Sequence, residues 1–121
     1  YGPLAILCEL SADASVVLRL PPGAFRPPPQ VDSALVRLTF RPPPVEIADL
    51  GLFSAMVRAL FSQRRKTLAN ALRPFATSLT DVSPRRLLEA ATLEADVRAE
   101  TLDLRSLSRL ADAIGAERRQ V

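Results

Sequence analysis

The pattern of apolar and polar positions predicts strands only in the first third of the chain. Residues 3–12 are mostly apolar and contain good helix formers, which predicts the end of a buried helix. Residues 15–20 are rich in β-branched side chains and residues 33–40 alternate in polarity, so both are predicted strands. Pro21-Pro22-Gly23 ends the first of these strands. The prolines within residues 24–32 predict an extended loop, because proline lacks a donor and pushes its predecessor toward extended backbone.

The pattern becomes helical after residues 42–44, three prolines that form a stiff extended spacer. Six apolar residues recur at helical spacing over 52–61, and Asp49 is the predicted N-cap of that helix. A second helix is predicted over 67–72, ending near Pro74.

Two capping signals predict the remaining helices. Ser83-Pro84 predicts the start of a short helix over 84–91, because Ser is a favoured N-cap and Pro a favoured first residue. Asp103 is the predicted cap of the last helix, and Gly115 is its predicted end. The residues of that helix predicted to face inward are Leu104, Leu107, Leu110, Ala111 and Ile114.

These elements predict an α+β chain in two parts. Residues 1–43 are predicted to be a helix and two strands of a larger sheet, since two strands alone are marginally stable in water. Residues 44–121 are predicted to form a small all-α domain. A length of 121 residues allows one domain or pieces of two, and an apolar fraction of 48% is typical of a globular core.

The composition excludes several classes of protein. Cys8 is the single cysteine and there is no His, which excludes a disulfide framework, a zinc site and a His-based triad. No apolar run approaches the roughly 18 residues of a membrane helix and no signal peptide is visible, so we expect a cytoplasmic protein without a metal. Because the chain opens at Tyr1 and its only methionine is Met56, we expect a fragment or processed product of a longer protein.

Positive charge is concentrated in the middle of the chain. Residues 26–73 contain eight Arg or Lys against three Asp or Glu, whereas residues 74–121 contain seven Arg against eight acids. A local basic patch is the usual footprint of a phosphate-bearing partner.

Phe25 has two interpretations. A Phe among prolines usually packs in a core. Alternatively, the stiff proline segment holds the ring at a sheet edge, where stacking of a nucleic-acid base would contribute about 1–3 kcal/mol. The residues alone leave both interpretations open.

The cluster Arg64-Arg65-Lys66 is either a solvated charged face or a phosphate-binding site. If Ser62 caps the following helix, the cations lie in its first turn, where the helix dipole repels each of them by about 0.3–1 kcal/mol. Cations placed there against the dipole, together with the free N–H groups of a helix start, indicate an anion site. If Phe61 and Ser62 instead lie inside one continuous helix, the position of the cations does not indicate an anion site.

Four stretches of sequence carry a family resemblance. The two long ones are residues 25–38 (FRPPPQVDSALVRL) and residues 61–72 (FSQRRKTLANAL). The short ones are Tyr1-Gly2 before an apolar helix and Val97-Arg98-Ala99-Glu100 before the last helix. In order and spacing they resemble the KsgA/RsmA family of ribosomal RNA adenine dimethyltransferases over nearly the whole chain.

The resemblance implies an RNA methyltransferase with S-adenosylmethionine as the methyl donor. Its target would be two adjacent adenines near the 3′ end of small-subunit ribosomal RNA, each methylated twice on the exocyclic amine during small-subunit maturation. Residues 1–43 would be the last helix and last two strands of a Rossmann-like catalytic sheet. Residues 44–121 would be a helical domain that docks on the ribosomal subunit, and the enzyme would be monomeric.

The resemblance also assigns site residues. Phe25 matches the aromatic residue of the family's F-x-P-P-P-x-V-D-S loop, which stacks on a flipped adenine. Asp32 and Ser33 match the same loop and are assigned structural roles, while Gln30 replaces a common Lys. The predicted RNA-binding residues, part of which could instead pack between domains, are Arg58, Arg64, Arg65, Lys66 and Arg73.

Two family motifs do not occur in this chain: the glycine-rich donor loop and the Asn-Leu-Pro-Tyr-type catalytic motif. We therefore expect the donor pocket to precede Tyr1 and the 121-residue chain to be inactive by itself. Two alternatives stay open, a nucleic-acid-binding module without catalysis and a ribosome-assembly domain that uses only the helical part.

Overall fold

A computed structural model describes residues 2–21, 23 and 33–119 of the chain. These residues contain five α-helices, two strands and one short 3₁₀ helix, which confirms a mixed α/β chain. The bounds are α1 Pro3–Ser11, β1 Ala12–Leu20, β2 Ser33–Phe40, α2 Leu50–Phe61, α3 Leu68–Thr77, α4 Pro84–Ala90, the 3₁₀ helix Ala99–Thr101 and α5 Leu104–Glu117. The predicted extended loop over 24–32 lies outside the described residues. No helix in the described part is long and apolar enough to cross a bilayer.

Strands β1 and β2 form an antiparallel pair. The register runs from Ala12 opposite Phe40 to Leu20 opposite Ser33. Strand β1 begins three residues earlier than predicted, because the end of β2 supplies pairing partners that outweigh the low strand propensity of the first residues. Strand propensity therefore located β1 but not its start.

The apolar side chains of this hairpin are largely exposed. Leu35 and Val36 are neighbours in β2 and point to opposite faces of the sheet, yet their exposed fractions are 54% and 48%. Phe40 is 78% exposed. Exposed apolar side chains on both faces of a sheet indicate that further strands or helices pack against it.

Arg41 ties the end of the hairpin to α1. Its Nε donates to Asp13 Oδ1 at 2.9 Å, and its Nη2 donates to the carbonyl oxygen of Glu9 at 2.6 Å. Glu9 lies in the last turn of α1, where carbonyl groups have no partner within the helix and the helix dipole attracts a cation. Arg41 therefore supplies a donor to a carbonyl group in the last turn of α1 and holds the end of β2 next to that turn.

Helix α1 shares one hydrophobic core with helices α2–α5. Ile6 and Leu10 of α1 are 0% and 4% exposed, and they lie in the same buried cluster as Phe53 and Met56 of α2. The apolar stripe predicted over 52–61 is confirmed as the buried face of α2. The two predicted parts of the chain are joined through this core, and the boundary between them stays a prediction.

Three predicted N-caps are confirmed. The side chains of Asp49, Ser83 and Asp103 each accept a hydrogen bond from the backbone N–H three residues later, at 3.0, 3.3 and 2.8 Å. The bond from the Ser106 backbone N–H lowers the pKa of Asp103 below its ordinary value, because it stabilises the carboxylate form. These caps place the starts of α2, α4 and α5 where the sequence predicts them.

The predicted end of the second helix at Pro74 is wrong. Helix α3 runs from Leu68 to Thr77 with Pro74 inside it. The proline leaves the Asn70 carbonyl without its helical donor, but both residues are exposed, so water can reach that group. Buried residues lie on both sides of the proline, and packing against the core outweighs the lost hydrogen bond.

The predicted helix end at Gly115 is also wrong. Helix α5 continues to Glu117, and no glycine in the described part of the chain has a positive φ. A Cβ at Gly115 would lie 3.4 Å from Leu52 Cδ2, so this position faces α2 at close range. The inward residues predicted for the helix are confirmed as buried: Leu104, Leu107, Leu110, Ala111 and Ile114.

Because Gly115 is helical, Gly115→Ala should stabilise the protein by about 0.5–1 kcal/mol, the usual difference in helix propensity. A methyl group fits at the observed distance from Leu52. Urea denaturation would measure the change, with Ala116→Gly in the same exposed turn as a control that should shift stability in the opposite direction. If Gly115→Ala loses stability and Leu52→Ala does not restore the gain, this glycine lies in a left-handed cap, which contradicts the helix through Glu117.

Candidate nucleic-acid interface

The basic cluster Arg64-Arg65-Lys66 lies in the turn between α2 and α3. Ser62 is the C-cap of α2, since its backbone N–H donates to the Arg58 carbonyl at 3.1 Å and its Oγ donates to the Ala59 carbonyl at 2.7 Å. The interpretation of Ser62 as the cap of the following helix is therefore wrong. The cations follow the C-terminus of α2, where the helix dipole attracts them, so the predicted repulsion is absent.

The first two N–H groups of α3 are already bonded. Leu68 N–H donates to the carbonyl oxygen of Val97 at 2.6 Å, and Ala69 N–H donates to that of Ala95 at 3.2 Å. Thr67, the N-cap residue, makes no side-chain capping bond. These two amides are therefore not available to an anion, and the cations of the turn supply the charge for anion binding.

The turn surrounds an open depression of about 470 Å³, lined by residues 61–66. Arg65 and Lys66 are exposed, and neither side chain makes a hydrogen bond or ion pair within the described part of the chain. Arg64 differs from them, because its Cζ lies over the Phe61 ring at 5.7 Å from the ring centre, within the range of a cation–π contact. Two of the three cations are thus available to an anionic partner.

The structure adds Arg98, which sequence reasoning missed as a binding residue. The bond between Leu68 and Val97 places Arg98 beside Thr67, at the edge of the basic turn. Its side chain is exposed and makes no ion pair among the described residues. The signal that could have found it is the Val97-Arg98-Ala99-Glu100 motif, which the sequence connects only to the start of the last helix.

The other predicted contacts are not gathered at the depression. Arg58 is exposed in the last turn of α2, and Arg73 is exposed on α3, about 7.5 Å along the helix axis from Leu68. Phe25 lies outside the described residues, so its stacking role stays a prediction. The described residues also contain no group of three or more His, Cys, Asp or Glu side chains placed to hold a metal.

A strained turn ends α4 and leads to residues 95–97, where two carbonyl groups accept hydrogen bonds from the start of α3. Thr92 has a φ of 61°, and its N–H donates to the Glu89 carbonyl at 3.0 Å. Leu93 N–H donates to the Leu88 carbonyl at 2.8 Å, which completes a Schellman motif at the end of α4. Glycine is the usual residue at this position, because a Cβ is disfavoured in the left-handed region.

Comparison with known proteins identifies the family. The family model described as "Ribosomal RNA adenine dimethylase" matches residues 1–109 of the chain, and the chain belongs to this family. Proteins named "Ribosomal RNA small subunit methyltransferase A" from Xanthomonas oryzae pv. oryzae and Roseobacter denitrificans are 45% and 44% identical over 93% and 96% of this chain. A protein of the same name from Pseudomonas aeruginosa is 42% identical over 94% of it. The chain spans about 40% of the length of these curated relatives.

Two solved structures share the fold. A dimethyladenosine transferase from Plasmodium falciparum matches with a TM-score of 0.70 at 20% identity, over 91% of this chain and 47% of that one. The 23S rRNA methyltransferase ErmE matches with a TM-score of 0.57 at 22% identity, over 95% of this chain and 46% of that one. At these identities the likeness shows the fold alone.

The geometry of Thr92 predicts that Thr92→Gly stabilises the protein by about 1 kcal/mol, because glycine adopts a positive φ without the Cβ strain. Urea denaturation would show this as a higher midpoint with an unchanged slope. Thr92→Val is the matched control, since it keeps the β-branch and should stay close to wild type. Destabilisation by Thr92→Gly would mean that the left-handed turn does not form in solution.

Proposed function

We propose that this chain is the C-terminal part of an S-adenosylmethionine-dependent ribosomal RNA adenine dimethyltransferase, and that its basic turn binds RNA phosphates. The observation that carries the proposal is the exposed pair Arg65 and Lys66 beside an open depression, in a chain of the ribosomal RNA adenine dimethylase family. Arg98 extends this surface beyond the turn, and Arg58 extends it along α2. Arg73 is a more distant contact on α3.

The proposed substrate is small-subunit ribosomal RNA within the ribosomal subunit. The names of the bacterial relatives support this class of substrate. We further propose that the target is two adjacent adenines near the 3′ end, each methylated twice in the cytoplasm during subunit maturation. Phe25 would stack on an adenine extruded from the RNA, as chemistry on a base within a folded RNA requires.

The hairpin supports a division of the chain into two functional parts. Both faces of β2 carry apolar side chains that are about half exposed, as expected for strands that belong inside a larger sheet. We propose that residues 1–43 complete the Rossmann-like catalytic sheet. Residues 44–121 would form the helical domain that docks on the subunit.

The described residues do not fit the methyl donor. A donor pocket in a doubly wound fold uses a glycine-rich loop between a strand and a helix, and the four glycines of this chain, Gly2, Gly23, Gly51 and Gly115, are far apart. We propose that the rest of the enzyme holds S-adenosylmethionine and that the 121-residue chain alone transfers no methyl group. In the monomeric enzyme, this chain would contribute RNA binding and base positioning.

Salt titration of subunit binding tests the basic surface in the full-length enzyme that contains this chain. Arg65→Ala, Lys66→Ala and Arg98→Ala should each weaken binding to undermethylated small subunits. Each should also reduce the slope of log affinity against log salt by about one, because one phosphate contact is lost. Arg85→Ala, at an exposed arginine of α4 away from the depression, is the control and should change neither quantity. Unchanged slopes in all three variants would make the cluster a solvated face.

Substitutions at Phe25 in the same enzyme separate stacking from core packing. Phe25→Ala and Phe25→Leu should lower turnover about 5- to 150-fold while subunit binding stays nearly intact, because stacking acts only on the flipped base. Phe25→Tyr keeps an aromatic face and should retain most of the activity. Single-turnover methylation and subunit binding are the measurements. If Phe25→Leu is fully active while Phe25→Ala unfolds the enzyme, the ring belongs to the core.

A further inference from the structure

Arg64 reaches from the basic turn to the start of α1. Its guanidinium lies over the ring of Phe61, the last residue of α2, and a Cβ built on Gly2 would lie only 2.7 Å from Arg64 Nη2. Gly2 is the N-cap of α1. The Arg64 side chain thus extends from the α2–α3 turn to the N-cap residue of α1.

Gly2 leaves room for the Arg64 guanidinium, and its backbone conformation does not call for glycine. Its φ of −157° and ψ of −176° are extended values that any residue adopts. Any other side chain would place a carbon where the Arg64 guanidinium lies. The observed position of the Arg64 guanidinium therefore depends on the absence of a side chain at Gly2, since a Cβ there would make the end of the arginine move.

The contact is not driven by charge. The N-terminus of a helix carries the positive end of its dipole, which disfavours a guanidinium. A planar guanidinium can still pack flat between an aromatic ring and a glycine backbone, which a flexible ammonium does less well. Arg41 already holds the other end of α1 through the Glu9 carbonyl, so an arginine contacts each end of this helix.

We propose that Arg64 is a positioning residue that couples the basic turn to helix α1, while Arg65 and Lys66 bind the RNA phosphates. This contact would fix the orientation of the basic turn relative to helix α1 and to the β1–β2 hairpin that follows it. The assignment of phosphate binding rests on the proposed function, whereas the contact between Arg64 and Gly2 is independent of it.

A double-mutant cycle on the 121-residue chain tests the coupling. The variants are Gly2→Ser, Arg64→Ala and the double substitution, and the readout is amide hydrogen exchange of Ile6–Leu10 relative to Leu107–Leu110 in α5. Arg64→Ala should lower the protection of α1 by at least about twofold, the lower end of the coupling between residues in contact, because the packing of the guanidinium against Gly2 is lost. Gly2→Ser should also lower it in the wild-type background, but should leave it unchanged or raise it in the Arg64→Ala background, because Ser is a good N-cap once the arginine is gone. Arg65→Ala is the matched control and should leave α1 unaffected.

Salt titration in the full-length enzyme tests the division of roles. Arg64→Ala should leave the slope for subunit binding unchanged, whereas Arg65→Ala should reduce it by about one. Unchanged α1 protection in Arg64→Ala, an equal effect of Gly2→Ser in both backgrounds, or a slope reduced by Arg64→Ala would each overturn the proposal. A third outcome separates the two roles: neither Arg64→Ala nor Arg65→Ala changes the salt slope, but the effect of Gly2→Ser on α1 protection still depends on Arg64. RNA binding by the turn would then be wrong, and the coupling role of Arg64 would stand.

Discussion

Burial of one face of α2 is the interaction on which the arrangement of the other elements depends. Phe53, Met56 and Leu60 are fully buried, and α1, α3, α5 and the 3₁₀ helix pack against this helix. Full burial of a side chain of this size contributes about 1.5–3 kcal/mol, so the stripe is a large share of the stability of a small domain. Because α2 is held from several sides, the turn at its C-terminus is presented from a rigid support.

The start of α3 shows how a distant segment changes the chemistry of this turn. The carbonyl groups of Ala95 and Val97 accept the first N–H groups of α3, so these amides are unavailable to an anion. The same hydrogen bonds bring Arg98 to the turn. Residues 95–98 therefore occupy two backbone N–H donors at the start of α3 and add the Arg98 side chain nearby. Binding of an anion at this surface then depends on cationic side chains.

The helical part and the hairpin differ in how completely they are buried. The helices enclose a continuous core that includes Ile6 and Leu10 of α1, whereas the hairpin exposes apolar side chains on both faces. The chain spans about 40% of its curated relatives, and our proposal assigns the missing layers of the sheet to the rest of the enzyme. Helix α1 belongs to both environments, because Arg41 joins it to the hairpin and its apolar face joins it to the helices.

The sequence by itself determined the features that depend on neighbouring residues. The caps at Asp49, Ser83 and Asp103 and the apolar face of α2 were predictable because a cap acts over three residues and a helical stripe over a few turns. The family was also recognisable from short runs of residues. Only the tertiary structure decided that Ser62 ends α2, that α3 continues through Pro74 and that α5 continues through Gly115. In each case the local signal allowed two outcomes. Hydrogen bonds to Arg58 and Ala59 selected one at Ser62, and packing against residues far along the chain selected one in α3 and α5. Arg98 joins the basic turn for the same reason, since the bond that brings it there links residues 68 and 97.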